Sequence, residues 1–166
     1  MITDYRARLN EAKSLPDIFE LVKSIVLRCL GKSRGGLMLG MANLGNHPQG
    51  FFGGFFTTGT NVIVLNKIPL QRIMETRQEL YKPYVFHVLL HEYIHSLGYL
   101  DEEDVRSKVL AITRQTLGED HLATQIASGS GEFIKHLAYP GVSWKPEDEG
   151  LELVQGFDRS SASYIS

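Results

Sequence analysis

Pro83-Tyr84-Val85-Phe86-His87-Val88-Leu89-Leu90-His91-Glu92-Tyr93-Ile94-His95-Ser96-Leu97-Gly98 is the stretch on which the reading of this 166-residue chain turns. Pro83 sits where the first turn of a helix tolerates proline, and Gly98 is free to take the left-handed conformation that ends one. The spacing predicts a helix from about Tyr84 to Leu97. Its apolar residues Val85, Phe86, Val88, Leu89, Leu90, Tyr93, Ile94 and Leu97 cover so much of the circumference that it must be largely buried. A buried helix needs material on every side, and the flanking sequence supplies it.

Upstream, Pro16-Asp17 opens a segment in which Phe19, Val22, Val26 and Leu30 recur at helical spacing, with Leu21 and Ile25 beside them, until Gly31 stops it. From Gly35 to Leu65 the texture changes to short apolar runs: Leu37 to Ala42, Phe51 to Thr58 and Val62 to Leu65. Gly45-Asn46-His47-Pro48 and Gly59-Thr60-Asn61 between them are turn chemistry, which predicts an antiparallel meander of about three strands. Phe51, Phe52, Phe55 and Phe56 flank Gly53-Gly54, a pattern that suits core aromatics around a kink or a strand edge closely approached by another backbone. Pro69 to Leu80 reads as a short helix or an irregular connection.

Downstream, Asp101-Glu102-Glu103-Asp104 offers an N-cap and first-turn acids for a helix. On it Val105, Val109, Ile112 and Thr116 share a face up to Gly118. Shorter helices are expected from Asp120 to Ala127 and through Phe133 to Leu137. The expected fold is α+β: a small, mainly antiparallel sheet packed on the central helix, with further helices after it. One domain over 1–139 is expected, followed by a C-terminal tail over 140–166 that turns loop-like after Pro140 and ends in polar and small residues.

Hydrophobic residues make up 43% of the chain, enough for a core around a buried site, and the formal net charge is −2. That total gives no broad positive field, so neither nucleic acid nor an acidic membrane is expected as a partner. Nothing is long and apolar enough to span a bilayer. Cys29 is the single cysteine and cannot form an internal disulfide. With a polar N-terminus lacking a signal-like apolar core, it points to a reducing, cytoplasmic setting. Oligomeric state is not readable.

The chemistry lies in His91-Glu92-Tyr93-Ile94-His95. Residues four apart on a helix project on one face about 6 Å apart along the axis, where both imidazoles can meet one divalent ion. Glu92 lies on the shoulder of that face, off the ion but within reach of a water bound to it, as a general base requires. Zinc brings the pKa of its water from about 15.7 toward about 7, and Glu92 can take that proton and return it to a leaving amine. Two imidazoles and a carboxylate in an apolar helix would each be costly to bury without partners, and a bound cation satisfies all three.

With these residues the chain resembles the zincin metallopeptidases, whose H-E-x-x-H motif lies on an active-site helix below a mixed sheet. The resemblance covers Pro83 to Asp101 and the preceding strands. It implies a minimal zincin-like domain, a Zn2+ cofactor, a peptide or protein substrate, His91 and His95 as metal ligands, and Glu92 as the catalytic base. In the extended form found in metzincin-like and small neutral proteases, Gly98 is the turn and Asp101 the third ligand. Metzincins also carry a methionine turn downstream, whereas Met1, Met38, Met41 and Met74 all precede the motif here. The strand before the active-site helix commonly rims the cleft in zincins, and by resemblance that role falls to Gly59 to Asn66, pairing with an extended peptide.

The third ligand stays open at this level. Asp101 also makes a good N-cap for the helix that follows. Glu102 or Glu103 would resemble the gluzincin arrangement, in which a glutamate on the next helix completes the site, and His121 is the best non-adjacent candidate. His87 extends the column of histidines, but three residues at this spacing span about 12 Å, so it cannot share the ion with both others. It lines the cleft, orients another group or faces solvent near the helix start. Tyr81, Tyr84, Tyr99, Tyr139 and His136 are each able to stabilise an oxyanion, and spacing does not choose among them.

Two other functions compete. His95-Ser96-Leu97-Gly98-Tyr99 is similar to the H-x-x-G-Y of the bacterial ribosomal-RNA maturation endoribonuclease family. That family has Gly where this chain has Glu92 and His where it has Asp101, and both departures favour the peptidase. The third reading is a latent or non-catalytic metal-binding protein, with the acidic tail after Pro140 folded over the cleft.

Overall fold

A computed structural model describes residues 4–44, 53–57, 59–129 and 151–158. Helix α1 (Tyr5–Glu11) and helix α2 (Leu15–Leu30) precede strands β1 (Met38–Ala42), β2 (Gly54–Phe56) and β3 (Val62–Asn66). Helices α3 (Lys67–Thr76), α4 (Tyr81–Ser96), α5 (Glu102–Leu117) and α6 (Leu122–Ala127) follow, and a two-residue strand β4 (Glu152–Leu153) comes last. This is the expected α+β architecture. No helix among the described residues is long and apolar enough to cross a membrane.

Helix α4 is the hub and touches α1, α2, α5, α6, β2 and β3. Val85, Phe86, Leu89, Leu90, Tyr93 and Ile94 are wholly buried along it. Each such side chain contributes about 1.5–3 kcal/mol through burial. Together they outweigh the cost, about 3 kcal/mol at neutral pH, of holding Glu92 inside with its carboxyl pushed up to about 8. The helix starts one turn before the expected Tyr84, so Pro83 occupies its third position. Proline is tolerated there because first-turn N–H groups have no partner within the helix. Gly98 has φ 106, the left-handed turn expected of it.

The three expected strands form, but not as a meander. The sheet order is β2-β3-β1-β4, with β3 parallel to β1 and antiparallel to β2. The longest pairing, Met38 to Val62 through Ala42 to Asn66, is the parallel one, so the sheet is mixed rather than a meander. The reason is in Val62-Ile63-Val64-Leu65. Ile63, Val64 and Leu65 are consecutive and all buried, as a central strand covered on both faces requires, whereas a meander strand with one wet face would alternate. Short β2 with its glycine takes the edge. A Cβ at Gly54 would stand 2.6 Å from the Val64 carbonyl oxygen and 3.2 Å from Val88 of α4, so glycine lets the edge strand close on the helix.

Helix α1 was not anticipated. Asp4 caps it by accepting from the Ala7 N–H at 3.0 Å, and its Tyr5 and Leu9 reach the core. The expected helix through Phe133 to Leu137 lies outside the described residues.

The described part of the tail docks on the sheet. Leu153 and Glu152 pair antiparallel with Gly40 and Met41 of β1. Phe157 stacks on Phe19 at 4.0 Å between centroids. Buried Asp158 accepts from the Leu37 N–H at 2.9 Å and forms an ion pair with Lys23. Residues 151–158 therefore extend the edge opposite β2, and none of them lines the cleft that holds His91 and His95. Residues 140–150 are outside the described residues.

Candidate metal centre

The C-terminal half of α4 and the start of α5 converge on one point. His91 Nε2 lies 2.8 Å from one oxygen of Glu102 and His95 Nε2 lies 3.0 Å from the other. One donor atom from each of the three residues falls within 4.8 Å of the others, a group that can hold a metal ion. Ligands at about 2.0–2.1 Å from a tetrahedral ion stand about 3.3 Å apart, and both histidine–Glu102 separations lie within a few tenths of an ångström of that.

The loop between the two helices sets the tautomer of His95. Its Nδ1 is 2.8 Å from the Tyr99 carbonyl, and a carbonyl only accepts, so Nδ1 carries a proton, and with an ion between His95 and Glu102 the Nε2 atom would present its lone pair to it. Tyr99 is clamped in turn: the Lys32 and Lys108 ammonium groups sit over its ring at 4.5 and 4.7 Å.

Asp101 does what a capping residue does. Its carboxylate accepts from the Asp104 N–H at 3.2 Å, with φ −73 and ψ 120 at the N-cap of α5. Its neighbour Glu102, the first residue of that helix, is the carboxylate brought to both histidines. Glu103 is exposed in the same turn. His121 caps α6, its Nδ1 accepting from the Ala123 N–H at 3.1 Å, and lines a separate groove with Arg6 and Lys82. The structure thus groups Glu102, rather than Asp101, Glu103 or His121, with His91 and His95.

The three residues open into a cleft of about 850 Å³ walled by Gly53 to Phe56 on one side and by α4, α5 and α6 on the other. The rim is β2, the edge strand, and not Gly59 to Asn66, whose strand is flanked on both sides. Glu92 lines the same cleft and accepts a hydrogen bond from the Phe56 N–H. Of the oxyanion candidates, Tyr84 lines the cleft and Tyr81 lines the other groove. His136 and Tyr139 are outside the described residues.

Arg34, which no sequence pattern singled out, locks this wall together. Its backbone N–H donates to the Tyr93 hydroxyl at 3.0 Å, and its guanidinium donates to the carbonyls of Ser96 at 2.8 Å and Thr60 at 2.9 Å. The same guanidinium lies 5.3 Å from the centre of the Phe56 ring. The end of α4, the β2–β3 turn and the rim strand are fixed to one side chain. Arg34 sits in a loop between α2 and β1, where spacing carries no signal.

Burial sets the electrostatics. It raises the Glu92 carboxyl to about 8, with the Glu102 charge adding to the shift and the Phe56 N–H opposing it. Burial lowers His87 to about 4, with His91 adding to the effect. His91 is also lowered, chiefly by burial, against the pull of Glu102. Burial pushes Glu102 up, but His91, His95 and Arg106 outweigh it and hold the carboxyl below its ordinary value.

These shifts give the metal-free protein a defined pH response. Above the ordinary histidine value of 6.5 the unfolded chain has already lost its histidine protons, while folded Glu92 keeps its proton to about 8. The folded state then binds more protons than the unfolded one, so stability falls as pH rises. Between these limits the loss is about 2 kcal/mol. Urea unfolding of metal-free protein at the two pH values checks it, and Glu92→Gln is expected to flatten the difference.

Comparison of the chain with protein-family models, with curated proteins and with solved structures found no match.

Proposed function

We propose that this chain is a zinc-dependent hydrolase of the zincin type that cleaves peptide bonds, with His91, His95 and Glu102 as metal ligands and Glu92 as general base. The observation that carries the reading is the convergence of the two imidazoles and the Glu102 carboxylate beside a buried Glu92 in one cleft. A glutamate from the next helix resembles the gluzincin arrangement. The nitrogen and oxygen donors suit zinc. Bound there, zinc would supply a Lewis acid and lower the pKa of its water to about 7.

The chain's own residues supply the rest. A nearby dication would draw the Glu92 carboxyl down from about 8 and favour its ionised form at neutral pH, so base and ion act together. Its carboxylate then accepts the proton of the attacking water and delivers it to the departing amine nitrogen. Edge strand β2 offers its outer backbone to an extended peptide. The cleft lacks the basic lining that a nuclease would use: Arg106 is the one Lys or Arg among its described lining residues. The lone Cys29, whose thiol burial pushes up, suits a cytoplasmic setting.

Cleavage of fluorescently labelled casein tests the reading. Zinc-loaded protein is expected to cleave it, chelator-stripped protein to lose that activity, and added zinc to restore it. Activity indifferent to chelation would refute the proposal.

A further inference from the structure

We infer that His87 binds the substrate directly, donating a hydrogen bond from its Nε2–H to a backbone carbonyl oxygen of the chain being cleaved. This rests on the hydrolase reading above and goes beyond the ligands and the base.

His87 precedes His91 by one turn of α4, their ring centroids 6.4 Å apart. It lines the cleft. Its Nδ1 is buried and has no hydrogen-bond partner. Among the described residues Nε2 has no partner either, yet it is not one of the buried unpaired atoms, so it is the nitrogen exposed at the cleft.

A neutral imidazole carries one proton, and its placement is decided by cost. On Nδ1 the proton would be a buried donor with no acceptor, the rarer and more costly kind of orphan. On Nε2 it can be satisfied by whatever enters the cleft. His87 therefore presents a donor, not a lone pair.

The surroundings select the acceptor. Tyr84, Val88, Ile126 and Ala127 line the same cleft, and among such neighbours a neutral acceptor is less costly to desolvate than a carboxylate or phosphate. Among the described polar lining residues, His91, His95 and Glu102 would hold the ion, Glu92 would meet its water, and the Tyr84 hydroxyl is buried. Arg106 is held by Glu102, with Nε 3.4 Å from its carboxylate. Among the described lining residues, His87 is then the donor that faces the cleft. A peptide lying along β2 carries amide carbonyls of the required kind.

The test is a cycle that changes both protein and probe. Wild type, His87→Phe and His87→Leu are titrated calorimetrically, metal-free with zinc and then zinc-loaded with acetohydroxamic acid, a tripeptide hydroxamate, and analogues in which each backbone carbonyl in turn is replaced by methylene. Two variants are used so that misfolding of one leaves the other. One methylene analogue is expected to bind wild type about tenfold more weakly than its parent, the loss of one hydrogen bond, and to bind the variants no more weakly than the parent does. Zinc and acetohydroxamic acid should bind all three proteins equally. The same discrimination in wild type and variants, or none in wild type, would overturn the inference while leaving the metal site standing. Failure of wild type to bind zinc or acetohydroxamic acid would overturn the hydrolase reading, and the inference with it.

Discussion

Glu92→Gln is expected to lower casein cleavage by about 10²–10⁴-fold while the protein still binds one zinc per chain. Glutamine keeps the shape of the side chain and can still meet the cleft, but it has no basic oxygen to accept a proton from water. The same change removes a carboxyl that burial has pushed to about 8, so the metal-free variant is expected to be more stable than wild type at pH 8. Loss of activity with a gain in stability is the signature of a group held at a cost for chemistry. Activity within a few fold of wild type would show that Glu92 is not the base.

The second large effect separates two neighbouring carboxylates. Glu102→Ala is expected to weaken zinc binding by at least about 100-fold, beyond the 10–100-fold typical of a residue that only supports a ligand. Asp101→Ala should leave zinc affinity within a few fold and cost about 1 kcal/mol of stability through the lost cap. The prediction follows from where the side chains point: Asp101 accepts from the Asp104 N–H, and Glu102 lies against both histidines. Competition against a zinc-binding dye measures the affinities, and urea unfolding the stabilities. Reversal of the two results would return Asp101 to the ligand position.

The cap and the candidate ligand illustrate what the sequence could and could not carry. Capping is local, so Asp101 followed by first-turn acids is readable from adjacent letters. The direction of Glu102 depends on the angle between α4 and α5, which the Gly98 turn and the packing of Val105 and Val109 determine together. Helix α4 was readable because its apolar residues, its histidine spacing and its terminating glycine agree. The strands were readable as apolar runs, but their order was not. Strand order depends on which run is buried on both faces, and the uninterrupted Val62 to Leu65 held that information where turn residues suggested a meander. Arg34 and the docking of Phe157 and Asp158 join segments far apart in the chain, and no local pattern announces them.

The central claim is that two imidazoles and a carboxylate hold one divalent ion. Zinc-edge X-ray absorption of protein loaded with one equivalent tests it most directly. The proposed site implies a nitrogen and oxygen shell at about 2.0–2.1 Å with the outer-shell scattering of two imidazoles, reduced to one in His91→Ala and unchanged in Asp101→Ala. A spectrum without imidazole scattering, or protein that does not retain zinc, would contradict it.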